Sequence, residues 1–242
     1  MESMFESVGS YLVSEAFLRG AVNTLKLTIL AQLVGVALGF VVAFAKRSRF
    51  SALRGLANCY TWVFRGIPVL VQLIFVYNVL PQFGLKLSEF ESALVALSLN
   101  EAAYMSEIIR TGLSAVSKGQ QRAARALGMS NWKIMRHVIL PQAFRIILPP
   151  TGNQFIGMLK TSALASVVGF TDLLQTAQQV ASANFNYIDT LVTVVIYYLA
   201  FTAIFTMIQI YVERRLDISR RGPAAQKQAG FMNPKRWVAR FR

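Results

Sequence analysis

At 242 residues, 55% hydrophobic and with a mean hydropathy of +0.46, the chain is too apolar for an ordinary soluble domain. Its net charge of +14 is spread through the gaps between apolar runs and is not gathered on one folded basic module, which argues against nucleic acid as a partner. The lone Cys59, the lone His137 and the absence of any GxxxxGK[ST] leave no internal disulfide, histidine-built metal centre or Walker-type nucleotide site to be expected.

The first span is AVNTLKLTILAQLVGVALGFVVAFA at 21–45, since about 20 apolar residues cover the hydrocarbon layer. Glu2, Glu6 and Glu15 precede it against Arg19 alone, whereas a cleavable signal begins with a positive patch, so a permanent helix is expected. Gly35-x-x-x-Gly39 either admits a close neighbouring helix or is a chance pair in a membrane segment. A second span covers about 60–80 and a third about 91–109, the latter interrupted by Asn100, Glu101, Ser106 and Glu107.

The segment 117–141, SKGQQRAARALGMSNWKIMRHVILP, reads as two short helices. Gln120–Leu127 is ended by Gly128, because glycine accepts the left-handed conformation that closes a helix. Ser130 caps a second helix from Asn131, and Pro141 marks the junction with the next apolar run. A fourth span at about 143–160 carries Arg145, Asn153 and Gln154, and Pro149-Pro150 is expected to kink or interrupt it. ALASVVGF at 163–170 is too short to cross and reads as re-entrant or interfacial; a fifth span runs over about 188–212.

Charge sets the expected topology. Lys46, Arg47, Arg49, Arg54 and Arg65 fill the gap at 46–65, and the gap at 110–145 holds seven Lys or Arg, both without an acid. The start of the chain, 81–91 and 161–187 hold only Arg19 and Lys86. The positive-inside rule then gives an all-α integral membrane fold of five helices, N-terminus outside and C-terminus inside. One transmembrane domain is expected over 1–216, followed by a basic cytoplasmic tail over 217–242. That tail, with Trp237 and Phe241, either lies on anionic headgroups or simply fixes orientation.

Several motifs occur in order with consistent spacing. Residues 118–160, KGQQRAARALGMSNWKIMRHVILPQAFRIILPPTGNQFIGMLK, follow TLKLT at 24–28, RGIPVLVQ at 65–72 and AAYMSEIIR at 102–110, and ERRL at 213–216 comes last. This set resembles the permease subunits of ATP-binding-cassette importers, more narrowly the polar amino-acid uptake branch, over about residues 20–216. The family loop, close to GQ-x-EAA-x-ALG and then I-LP, is matched at Gly119, Gln120, Ala123, Ala124, Ala126, Leu127, Gly128, Ile139, Leu140 and Pro141.

The resemblance implies a helix pair, between the third and fourth spans, that docks in a groove of a separate ATPase. Partners implied with it are two ATPase subunits, which bind the ATP and Mg, a second permease chain and an external solute-binding protein. The implied location is the bacterial inner membrane, and no cofactor or catalytic residue is expected in this chain. Ala123, Ala124 and Leu127 would give the arm a small apolar face, with Trp132 and Met135 against the partner or the permease body. Arg122 stands where the family has Glu, which leaves homodimer and heterodimer both open.

Ionisable groups inside a membrane face a cavity or a partner. Asn100, Tyr104 and Glu107 share one helix face, with Glu101 beside it; Asn153, Gly157 and Lys160 repeat the spacing. For an amino acid, Asn100 and Glu101 suit the ammonium, and Asn153 and Lys160 the carboxylate. The bland alternatives are a buried inter-helix bond for Glu101, a pair with Arg110 for Glu107, and a snorkelling Lys160. After that lysine the family often carries an acid and a hydroxyl pair, whereas Thr161-Ser162-Ala163 follows here, giving no support to recognition of a cationic side chain at that point. Asp172 and Asp189, in outer positions, are expected to meet the binding protein. Two rival readings are an ion-coupled secondary transporter using Glu101 and Asp189, and a non-transporting scaffold; the former should show inverted repeats, and none is evident.

Overall fold

The computed structural model describes residues 2–216, and every regular element within them is helical. The expected basic tail at 217–242 lies outside the described residues. The helices are α1 (Glu2–Leu12), α2 (Glu15–Ala45), α3 (Ser51–Gly66), α4 (Val69–Asn78), α5 (Glu89–Ala115), α6 (Lys118–Ala126), α7 (Asn131–Ile134), α8 (Leu140–Thr161), α9 (Leu173–Asn184) and α10 (Tyr187–Arg215).

By length and composition, α2 and α10 are each apolar enough to cross a membrane, and α3 with α4 would make a third as a bent pair. The second span, expected over about 60–80, is not one uninterrupted helix. It breaks at Ile67-Pro68, and the two halves diverge by 101°. The cause is local: Pro68 has no N–H and pushes Ile67 into extended backbone (φ −101°, ψ 133°). Gln72 Nε2 answers the orphaned carbonyls, donating to Phe64 O and Ile67 O at 2.8 Å each. Asn100 Nδ2 donates to Phe64 O as well, at 2.9 Å.

The pairing of α2 with α5 organises the bundle. A Cβ at Gly35 would stand 2.6 Å from Glu101 Cγ, and one at Gly39 would stand 2.6 Å from Met105 Cβ. The two glycines therefore admit a close neighbour, as the first of the two readings of that pair had it. Ser88 starts α5 with a reciprocal cap, its hydroxyl accepting from Glu91 N while the Glu91 carboxylate accepts from Ser88 N at 2.9 Å. At one end of α2, Thr24 Oγ1 accepts from Leu173 N at 3.0 Å and seats the start of α9.

One proline expectation is corrected, and a second, that Pro149-Pro150 kink or interrupt their helix, loses its latter alternative. The helix beginning at Asn131 does not stop before Pro141; it passes through a π-helical turn at Met135–Ile139 straight into α8. In that turn Leu140 N–H reaches back to Met135 O, the wider spacing that lets Pro141 enter without its ring striking the carbonyl four residues earlier. Nor do Pro149 and Pro150 interrupt α8. Side-chain bonds cluster beside these prolines: Gln209 Nε2 on α10 donates to Pro149 O at 3.3 Å, and Thr151 Oγ1 within α8 donates to Ile147 O at 2.9 Å. The segment after α8 is a 3₁₀ helix, Ser162–Val168, closed by Gly169 at φ +85°.

Candidate functional site

Two features deserve a residue-by-residue description: a cavity between α4, α5 and α8, and an exposed arm at 117–139. The cavity measures about 460 Å³. The α3–α4 break supplies Arg65 and Gly66 through Val69, α5 supplies Asn100, Glu101 and Tyr104, and α8 supplies Gln154, Gly157, Met158 and Thr161. Glu101 is only 3% exposed, with no cation bonded to it. Its two oxygens accept from amides on different helices, Gln32 Nε2 at 3.0 Å and Gln154 Nε2 at 3.3 Å. Arg65 holds its guanidinium over the Tyr104 ring, 5.2 Å from the centroid. The chamber thus combines a buried carboxylate, a guanidinium and a carboxamide.

Of the five residues expected along a solute path, Asn100, Glu101 and Tyr104 come together here. Asn153 and Lys160 do not. Asn153 Oδ1 accepts from Gln209 Nε2 on α10 at 3.3 Å, and Lys160 is exposed away from the chamber. The stripe of α8 that meets the cavity is Gln154, Gly157, Met158 and Thr161, one position round from the face expected. Arg65, Gln32 and Gln154 were not singled out by sequence reasoning. Their signal was a polar residue inside or at the edge of an apolar run, next to Gly66-Ile67-Pro68 in the case of Arg65.

Glu107 points elsewhere. It pairs with Arg110, whose Nε lies 2.9 Å from Oε2, and also with Lys46 of α2, which donates to Thr61 Oγ1 at 2.7 Å. This matches the bland reading of Glu107. Asp172 and Asp189 are corrected outright, because both are buried and act locally. Asp172 caps α9 by accepting from Gln175 N at 2.8 Å, and burial pushes its carboxyl up to about 6. Asp189 accepts from Asn186 Nδ2 at 2.6 Å in the first turn of α10.

The arm has two faces. Ser117 caps α6 and Ser130 caps α7, while Gly128 turns the chain between them at φ +74°. Ala124, Ile134 and Ile139 bury into a cluster with Met105, Ile109, Ala143 and Ile147, with Met135 packed beside it. Gly119, Gln120, Arg122 and Ala123 are exposed; Leu127 is 82% exposed and Trp132 68%. The single apolar face expected of Ala123, Ala124 and Leu127 is therefore split. Ala124 faces the body, while Ala123 and Leu127, four apart, face out.

Residues 35–218 match the family model described as binding-protein-dependent transport system inner membrane component. The chain belongs to this family. Among relatives of this transport component, the arginine transport system permease protein ArtQ of Bacillus subtilis (strain 168) is 42% identical over 200 residues, 82% of this chain and 91% of that protein. The L-cystine transport system permease protein TcyB of the same organism is 38% identical, covering 82% of this chain and 85% of the relative. The putative glutamine transport system permease protein GlnP of Rickettsia bellii (strain RML369-C) is 36% identical over 89% of this chain and its own full length. A crystal structure of an amino acid ABC transporter with histidines superposes with a TM-score of 0.79 at 43% identity, covering 83% of this chain and 94% of that one. The MetNI methionine transporter, at 21% identity and a TM-score of 0.72, shares the fold with this transport component.

Proposed function

We propose that this chain is a permease subunit of an ATP-driven importer that moves an amino acid or close derivative across a bacterial inner membrane. Separate ATPase subunits would bind ATP and Mg, and a second permease chain and an external solute-binding protein would complete the complex. Five crossings follow if α2, the bent α3–α4 pair, α5, α8 and α10 each span once, with the N-terminus outside and the arm inside. The transmembrane domain would then end near residue 216, with the basic tail on the inner surface. The solutes in the relatives' names, arginine, cystine and glutamine, share only the α-amino-acid group, which suits a chamber offering Glu101 to an ammonium and Arg65 to a carboxylate.

One observation carries this reading. From Asn131 to Thr161 the chain is helical without a gap, a rod of roughly 45 Å at 1.5 Å per residue. Its first turns belong to the exposed arm and its last turns wall the cavity. Force applied to Ala123, Leu127 and Gly128 by a closing ATPase pair would pass across the Gly128 turn into this helix, whose far end carries Gln154 and Thr161. Gly119, Gln120 and Arg122 complete the outward surface of the arm, with Arg122 asking for an acidic counterpart on the partner. The test is uptake by the reconstituted complex with its ATPase and binding protein. Accumulation should require ATP and survive collapse of proton and sodium gradients; uptake that follows an ion gradient without ATP would overturn the proposal.

A further inference from the structure

We propose that the turn between α2 and α3 is a binding site for an acidic phospholipid. Residues 16–88 contain no Asp or Glu, yet Lys46, Arg47, Arg49 and Arg54 crowd this turn. Of these four cations, Glu107 of α5 pairs with Lys46 alone, and it is shared with Arg110. Among the described residues, no carboxylate forms an ion pair with Arg47, Arg49 or Arg54. Arg49 lies over the Phe50 ring at 5.1 Å, and Arg54 Nη1 donates to Ser48 O at 2.9 Å and Arg49 O at 3.2 Å, which ties the turn together. Arg47 and Arg49 are left as unneutralised guanidiniums, the donors best matched to a phosphate.

The cationic turn borders an apolar skirt. Val41 (66% exposed) and Phe44 (45%) stand on the last turns of α2, and Phe50, Leu53 and Leu56 are exposed on the start of α3. A free phosphate would use the arginines and leave this skirt in water; a neutral lipid would cover the skirt and leave the charge unmatched. A ligand with an anionic headgroup and an acyl chain satisfies both, and that is the occupant assigned. The assignment does not depend on what the chain transports.

The experiment is native mass spectrometry of the full chain in neutral detergent, titrated with phosphatidylglycerol, phosphatidylcholine or glycerol 3-phosphate. Phosphatidylglycerol should bind and resist displacement by glycerol 3-phosphate. The double variant Arg47→Gln/Arg49→Gln should weaken phosphatidylglycerol binding about tenfold, while Lys118→Gln/Lys133→Gln should change it by less than about twofold. Arg54 is left intact because it holds the turn. Equal binding of phosphatidylcholine, or displacement by glycerol 3-phosphate, would overturn the site on the unaltered chain alone. Equal loss from both charge pairs would reduce it to diffuse attraction. Unchanged lipid binding with lost ATPase association in Arg47→Gln/Arg49→Gln would reassign the turn to a protein partner.

Discussion

Glu101→Ala should lower solute uptake by the reconstituted complex by about 10- to 100-fold, with the complex still assembling. The carboxylate is held by Gln32 and Gln154, and a charge-assisted hydrogen bond from it to the solute ammonium would be worth about 1.5–3 kcal/mol, about that factor when lost from a transition state. Its removal also leaves a buried amide, Gln32, and a half-buried one, Gln154, without this acceptor. Glu101→Gln separates the roles. It keeps the volume, and Gln32 and Gln154 can turn their amides over to meet it, but it removes the charge. If the carboxylate receives the ammonium of the solute, Glu101→Gln should transport as poorly as Glu101→Ala. Recovery of uptake in Glu101→Gln, or equal loss of uptake and of co-purifying subunits in Glu101→Ala, would reduce the residue to an inter-helix tie.

Gly128→Val should abolish stimulation of ATP hydrolysis by solute-loaded binding protein without preventing membrane insertion. Gly128 holds φ +74°, a region that a β-branched residue enters only under strain of about 1–2 kcal/mol. A Cβ there would meet nothing within 4 Å among the described residues, so their core is undisturbed and the effect falls on the turn and on whatever docks against it. Gly128→Asn tolerates the left-handed backbone and should retain about a third or more of the stimulation. ATPase assays in proteoliposomes read both variants. Normal coupling in Gly128→Val would contradict an arm whose bend transmits force.

Much of this architecture was legible because local chemistry and tertiary demand agree at the relevant residues. The apolar runs of α2 and α10 need no partner to be read as long helices, and Ser117, Gly128 and Ser130 punctuate the arm by backbone preference alone. Illegible features were those decided across helices. Pro68 breaks its span, with Gln72 and Asn100 placed to take the freed carbonyls, whereas Pro141 enters through a π turn and Pro149 and Pro150 sit inside an unbroken α8. Hydropathy averaged over a window sees neither outcome.

The candidate site shows the same division. Periodicity put Asn153, Gly157 and Lys160 on one face of α8 but carried no information about which face meets the cavity, and the stripe through Gln154 does. Gln32 was hidden because a single amide in an apolar helix reads as tolerated polarity until its partner, 69 residues away, is known. Asp172 and Asp189 looked available to a partner because their local bonds depend on where α9 and α10 start: Asp172 caps α9, and Asp189 is held by Asn186, the cap of α10.

Transmission of force from arm to cavity stands or falls on where Leu127 sits and what it touches. With Cys59 replaced by Ser, a cysteine introduced by Leu127→Cys can be cross-linked in the assembled transporter by a short bifunctional thiol reagent. A product joining permease and ATPase subunit is expected, with a yield that changes when ATP is added. Labelling of that cysteine in intact cells by a membrane-impermeant reagent, with no ATPase adduct, would place the arm on the opposite surface and contradict the mechanism.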